Sequence, residues 1–272
     1  MSPRIPSPTR HFGWPTGSES RPDLSFPSIT GHLSFPSITG QLFSEEAIVT
    51  IGEISKDSFP SPRNRVIMSH SRSNGDDLES ALSGIVGADD VSTRRDELVG
   101  YSRDAFPEDG VLPDAVVRVE DKTEVQDVLR YANENGLHVV PRAMGTSLTG
   151  SVVPVEGGIV MDVRPMDSIL EFNPDDMYAR VQPGVRWQDL NDKAAEYDLQ
   201  FPVDPGSSSV VTVCGMIATH ASGMRAVKYG TTGDFTLDLE VVLADGTIFE
   251  TGTTSIKNSA GYDLTSLLVG SE

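Results

Sequence analysis

Between Arg142 and Ser151 the chain reads RAMGTSLTGS, glycines and small hydroxyl residues placed directly after the apolar stretch LHVV and Pro141. Glycine frees the backbone and small side chains leave it uncovered, so consecutive N–H groups can converge on an anion. Thr146, Ser147 and Thr149 add hydroxyl donors, and Arg142 adds positive charge. Gly145 and Gly150 also open a G-x-x-x-x-G spacing, the start of a nucleoside-triphosphate loop. That loop continues with a lysine for the outer phosphates, and here the next residue is Ser151. G-x-G-x-x-G is absent too. A pyrophosphate gripped mainly by backbone amides remains, beside the plainer reading of a tight turn after a strand.

A second small-residue stretch runs DPGSSSVVTVCGMIATHASGMRAVKYGTTGD, from Asp204 to Asp234. Its glycines and serines flank an apolar centre, VCGMIA, so a flat ligand could lie close to the backbone. A third, IKNSAGYDLTSLLVGSE, occupies Ile256 to Glu272.

Elements must bring these stretches together. DDLESALSGIVG carries Leu78, Leu82, Ile85 and Val86 at helical spacing. AVVRVE predicts a strand. TEVQDVLRYANENG predicts a helix opened by a Thr123–Gln126 capping box and closed by Gly136, with Val125, Val128, Leu129 and Ala132 on one face. LHVVP predicts the next strand. Strand, helix and strand of this length imply a right-handed parallel crossover, which puts the first loop at the strand's C-terminal edge, where such sheets bind ligands. GGIVMDV predicts a further strand, and SILEFNPDDMYARVQPG a hairpin about Asn173–Asp176. VRWQDLNDKAAEYDL predicts a helix. TLDLEVVLADGTIFETG predicts a hairpin turning at Asp245–Gly246. The expected class is α+β: a small parallel β/α subdomain, then a larger, mainly antiparallel α+β subdomain.

Charge narrows the partners. The formal net charge of -19 falls entirely after residue 67, where 34 acidic residues meet 15 basic ones. Such a surface repels phosphate backbones and anionic membranes, which argues against nucleic-acid binding. It suits a protein of a salt-rich cytoplasm, where screening mutes self-repulsion; an acidic protein of a low-salt cell is the alternative. The single cysteine, Cys214, allows no intrachain disulfide and suits a reducing, cytoplasmic setting. The longest apolar candidate, VVTVCGMIATHA, falls short of the roughly 18 residues of a membrane span. No secretory signal is evident.

Residues 1–67 hold 9 of the 18 prolines and 12 serines, with little apolar period. They contain a tandem copy, LSFPSITGH then LSFPSITGQ, too short for a solenoid. The expectation is a disordered tail, or a non-native extension ahead of a true start at Met68.

In order, PRAMGTSLTG, VPVEGGIVMD, VQPG, DPGSSS, GMIATHASGMRAVKYG, EVVLADG and KNSAGYDLTSLLVGSE resemble the FAD-linked oxidases. The resemblance is to the FAD-binding PCMH-type domain, shared with vanillyl-alcohol oxidase and p-cresol methylhydroxylase. It is nearest the branch of D-lactate dehydrogenase, the glycolate oxidase FAD subunit and D-2-hydroxyglutarate dehydrogenase. It covers residues 76–272 as the FAD-binding domain. It implies FAD, with Arg142, Gly145, Thr146, Ser147, Leu148 and Gly150 around its pyrophosphate and Pro205, Gly206 and Ser207 along the flavin. Gly215, Ala218, Thr219, Ser222 and Gly223 would line the flavin and ribityl chain, and Gly270 and Glu272 would begin a G-S-E-G-T-L-G motif near the cofactor. Some relatives attach FAD through a histidine in the first loop. This loop has none, so non-covalent FAD is expected.

The implied reaction is hydride transfer from C2 of a D-2-hydroxy acid to flavin N5, with a quinone, an iron–sulfur partner or a flavoprotein as electron acceptor. The chain stops inside the last motif, so a truncated FAD domain lacking its cap domain is expected, with the catalytic base outside it. Two alternatives stay open: an FAD-binding fragment without turnover, and a same-fold flavin reductase using NADPH. Cys214 stands where the family commonly has glycine, as a buried filler or a thiol beside flavin. His220 replaces a common asparagine, as a structural or cofactor contact or a base. Arg225, Lys228 and Tyr229 could face a substrate carboxylate or be surface contacts, and Lys257 could approach the flavin or stay solvated. Trp187 reads as helix packing. His11, His32, His70 and His138 lack metal-ligand spacing, so no metal is expected.

Overall fold

The computed structural model describes residues 42–43, 75–107 and 110–272. Except for Leu42–Phe43, the tail expected over residues 1–67, tandem copy included, lies outside the described residues, and so does Met68.

Helix α1 (Gly75–Val86) buries Leu78, Leu82 and Val86, three residues four apart on one face. After strand β2 (Val91–Ser92) and helix α2 (Arg95–Tyr101) comes the parallel unit: β3 (Ala115–Arg118), α3 (Lys122–Asn135), β4 (Val139–Arg142) and β5 (Ile159–Asp162). The sheet order is β2-β3-β5-β4, so β5 inserts between the two strands that α3 connects. β5 pairs in parallel with both, while β2 is an antiparallel edge. β3 and β5 are apolar on both faces because both faces are covered. Val117, Ile159 and Met161 pack with α1 and α3, whereas Val116, Val140 and Val160 pack with Leu98 and Tyr101 of α2.

The expected buried face of α3 is confirmed, and Gly136 caps it at φ 64°, ψ 33°. Its start differs from the Thr123–Gln126 box. Asp121 is the N-cap, accepting from the N–H groups of Thr123 at 2.7 Å and Glu124 at 3.0 Å. A carboxylate gains from both the free donors and the positive end of the helix, which a threonine hydroxyl does not match.

The second half starts with the hairpin β6 (Ile169–Asn173) and β7 (Tyr178–Val181), closed by mutual bonds between Asn173 and Asp176. Helices α4 (Trp187–Ala195), α5 (Val213–Ala218), α6 (Ala226–Tyr229) and α7 (Thr232–Phe235) follow. The hairpin β8 (Glu240–Leu243) and β9 (Ile248–Glu250) turns at Gly246, φ 80°, as expected, and α8 (Leu264–Leu268) completes the set. β1 (Leu42–Phe43) pairs antiparallel with β8. Adjacent residues of β8 face opposite ways: Val242 joins the core of the parallel unit, while Val241 joins a second core with Val185, Leu190, Ile217 and Leu268. The architecture is the expected α+β arrangement. No described helix is long and apolar enough to cross a membrane.

Candidate cofactor site

The loop after β4 forms one wall of a cleft of about 290 Å³. Cys214, Gly215 and Ala218 of α5 and the following Thr219 form the opposite wall, with Glu272 at one edge. Among the described residues, the N–H groups of Gly145, Thr146, Ser147 and Leu148 make no hydrogen bond within the protein. These residues line the cleft, so their donors are available to an anion held there. The loop holds itself open through side chains. Ser147 and Thr149 share a 2.6 Å hydroxyl bond, and the Thr149 hydroxyl donates to the Glu272 carboxylate at 2.6 Å. Glu272 is pinned in turn by its N–H bond to Ala218 O, and Gly270 N–H donates to Ile217 O, both 3.0 Å.

Beneath the loop lies an ionic cluster built on a buried carboxylate. Asp162, at the end of β5 and fully buried, accepts from the Tyr101 hydroxyl at 2.7 Å and from Arg164 Nε at 2.9 and 3.0 Å. The guanidiniums of Arg142 and Arg164 both stand against the Tyr101 ring, 5.7 and 5.8 Å from its centre. Arg142 donates to Val152 O at 3.3 Å, and its guanidinium fits under Gly145, where a Cβ would come within 2.3 Å of Nη2. Gly145 has φ +63°, which favours glycine, and a Cβ there would push the Arg142 guanidinium aside. Burial lowers the Arg142 pKa, because it disfavours the charged form, and Asp104, Tyr101 and Asp162 oppose that shift.

Burial, reinforced by the bond to Asp162, pushes the Tyr101 phenol up from 10.0 to about 12. The fold keeps a proton that the unfolded chain releases, so this contribution is whole below pH 10 and is lost as pH rises toward about 12. Denaturant titrations at fixed ionic strength should show stability falling across that window, and falling less in Tyr101→Phe. Identical slopes would contradict the placement of the phenol.

Of the residues implied by the family pattern, the cleft gathers Arg142, Gly145, Thr146, Ser147, Leu148, Ser207, Gly215, Ala218, Thr219 and Glu272. Gly150, Pro205, Gly206, Ser222, Gly223 and Gly270 are not in its lining. Three of these glycines serve protein packing. A Cβ on Gly150 would meet the Phe106 ring at 3.3 Å, one on Gly270 would meet His220 Cβ at 2.9 Å, and one on Gly223 would lie 1.9 Å from Asp204 O. Sequence reasoning did not single out Pro183 or Thr212, which also line the cleft. Thr212 is recognisable as the N-cap of α5, accepting from Gly215 N–H at 3.1 Å. The cluster partners Tyr101, Asp162 and Arg164 had no such signal.

The remaining candidates separate. Cys214 is buried and lines the cleft. His220, outside the lining, bonds Thr231 Oγ1 through Nε2 at 2.8 Å, and Thr231 donates to Asp234 at 2.9 Å. Arg225 pairs with Asp204 at 3.1 Å, Lys228 donates to the Tyr229 hydroxyl at 2.9 Å, and neither these three nor Lys257 lines the cleft. Trp187 packs against the core and donates to Val203 O at 2.6 Å. No group of metal ligands occurs among the described residues.

Residues 113–252 match the family described as "FAD binding domain". The chain belongs to the FAD binding domain family. Its cofactor is FAD. Among curated proteins, this FAD-binding chain is 38% identical over 196 residues to "Glycolate oxidase subunit GlcD" of Bacillus subtilis, covering 72% of the chain and 42% of that protein. It is 46% identical over 157 residues to "D-lactate dehydrogenase" of Archaeoglobus fulgidus, covering 58% of the chain and 35% of that protein. The chain therefore spans well under half the length of these relatives. Among solved structures, p-cresol methylhydroxylase with substrate bound matches with a TM-score of 0.62 at 25% identity, over 71% of this chain and 40% of that one. The site suits the cofactor: uncommitted N–H groups and a desolvated guanidinium match a pyrophosphate, and the small residues of α5 leave room for a flat ring.

Proposed function

We propose that this cleft holds FAD non-covalently, within a FAD-binding domain formed by residues 76–272, in an oxidoreductase acting on a D-2-hydroxy acid such as D-lactate or glycolate. The observation that carries the reading is the placing of four uncommitted N–H donors and the half-buried Arg142 in the wall of one cleft. In it the pyrophosphate lies on the N–H groups of Gly145 to Leu148, with Arg142 supplying charge from below. Ser207, Gly215, Ala218 and Thr219 take the ribityl chain and flavin, where any larger side chain would intrude. Gly150 and Gly270 shape the site from behind, as does Gly223, which lets the segment after α5 close on the one holding Pro205 and Gly206; Ser222 precedes that contact. Neither the loop nor the cleft lining contains a histidine, which favours non-covalent attachment.

Bound FAD supplies a hydride acceptor for the carbon that carries the substrate hydroxyl. This domain positions it. Thr149, whose hydroxyl already bridges Ser147 and Glu272, keeps the loop in register with the opposite wall. The hydroxy-acid class follows the printed names of the two relatives. The reading includes a cytoplasmic setting and a quinone, iron–sulfur subunit or flavoprotein that takes the electrons. The second reading is FAD binding without turnover.

Anaerobic addition of D-lactate, glycolate or D-2-hydroxyglutarate to the FAD-loaded chain decides between them. Bleaching of the flavin band by one of these acids is expected. A band bleached by NADPH alone would replace the reading with a reductase, and one bleached by neither would leave FAD binding without turnover.

A further inference from the structure

Three arginines converge on Asp162 at the base of the loop. Arg118 of β3 and Arg142 of β4 are its register partners across β5, and Arg164 follows two residues later. They are not paired one to one. Arg118 pairs with Glu97, and Arg164 takes both oxygens of Asp162, whose lone pairs also serve the Tyr101 hydroxyl and Arg164 N–H at 3.0 Å. Arg142, which like Arg164 stands against the Tyr101 ring, is left with Val152 O and no ion pair among the described residues. Asp104 biases its charge without forming a pair, one oxygen accepting from Phe106 N–H and the other buried and unpartnered.

A buried carboxylate that loses its partner seeks the nearest cation, because an unpaired charge in a low-dielectric setting is costly. Such a cation is Arg142, its register neighbour on β4. We propose that Arg164 is a positioning residue: by occupying Asp162 it keeps that carboxylate from pairing with Arg142, so the Arg142 charge stays available to the FAD pyrophosphate. Arg164 does not line the cleft. The inference rests on the proposed placement of the pyrophosphate on this loop.

The test measures FAD dissociation constants, by flavin fluorescence, for the whole chain and four variants, with ADP as a flavin-free probe of the same loop. Arg142→Met is expected to weaken FAD about 30-fold, the loss of one charge-assisted contact. Arg164→Met is expected to weaken it about tenfold, and Arg164→Lys, which keeps the charge, less than about threefold. The Asp162→Asn/Arg164→Met pair removes the competing carboxylate along with its partner, and affinity should return to within about threefold of the parent. Damage to the fold alone would make the double variant no better than the single one. The Arg164 side chain is 45% exposed, so its removal leaves little cavity, and melting temperatures show whether each variant is folded. Unchanged affinity in Arg164→Met, or a double variant as weak as the single, overturns the inference. Unchanged affinity in Arg142→Met overturns the pyrophosphate placement itself, and the inference with it.

Discussion

Asp162→Ala is expected to cost about 2–4 kcal/mol of folding stability, less than deletion of one partner of a fully buried ion pair because the Arg164 side chain is 45% exposed and screened by solvent. Asp162 is 0% exposed, and its oxygens are the meeting point of the Tyr101 hydroxyl and the Arg164 side chain and N–H. Its deletion strands a buried phenol and leaves Arg142 and Arg164, both against the Tyr101 ring, without a carboxylate between them. Asp162→Asn keeps an acceptor for Tyr101 and fills the same volume, so its cost should be smaller, about 1–3 kcal/mol. Urea denaturation at fixed salt separates the two. A loss below about 1 kcal/mol in Asp162→Ala would mean that the cluster is solvated rather than buried.

Gly223→Ala has the other large effect. A methyl group there would lie 1.9 Å from Asp204 O and 2.4 Å from Asp204 C, both backbone atoms. No rotamer relieves such a contact, so the segment after α5 must separate from the one that precedes Ser207. The Arg225–Asp204 ion pair bridges the same two segments and would be strained as well. The expected loss is more than about 3 kcal/mol, at the upper end for overpacking. Gly206→Ala is the control, since nothing lies within 4 Å of the added carbon. A Gly223→Ala protein that melts with the parent would show that the two segments are not packed against each other.

The elements carried by local pattern were legible in the sequence. The apolar face of α3, its Gly136 cap, the Asp245–Gly246 turn and the small-residue loop after β4 each follow from a few neighbouring residues. The ionic cluster was not legible. Tyr101, Arg142, Asp162 and Arg164 come from α2, β4, β5 and the turn beyond it, and only the strand order β3-β5-β4 makes them neighbours. Glycine was an ambiguous sign for a related reason. Gly150, Gly223 and Gly270 do mark close approaches, but what approaches is Phe106, Asp204 and His220 rather than the cleft. The α3 cap was misplaced by two residues because Asp121 opens the helix earlier, so that Thr123 is already helical and gives its own N–H, with that of Glu124, to the Asp121 carboxylate.

The most direct test of the cofactor site is a visible absorption spectrum. The chain is equilibrated with FAD in high salt, freed of unbound cofactor by gel filtration, and measured before and after acid precipitation. The expected result is a flavin band that elutes with the protein and passes to the supernatant in acid. Protein that elutes without flavin would contradict the site, and flavin retained in the pellet would contradict its non-covalent character.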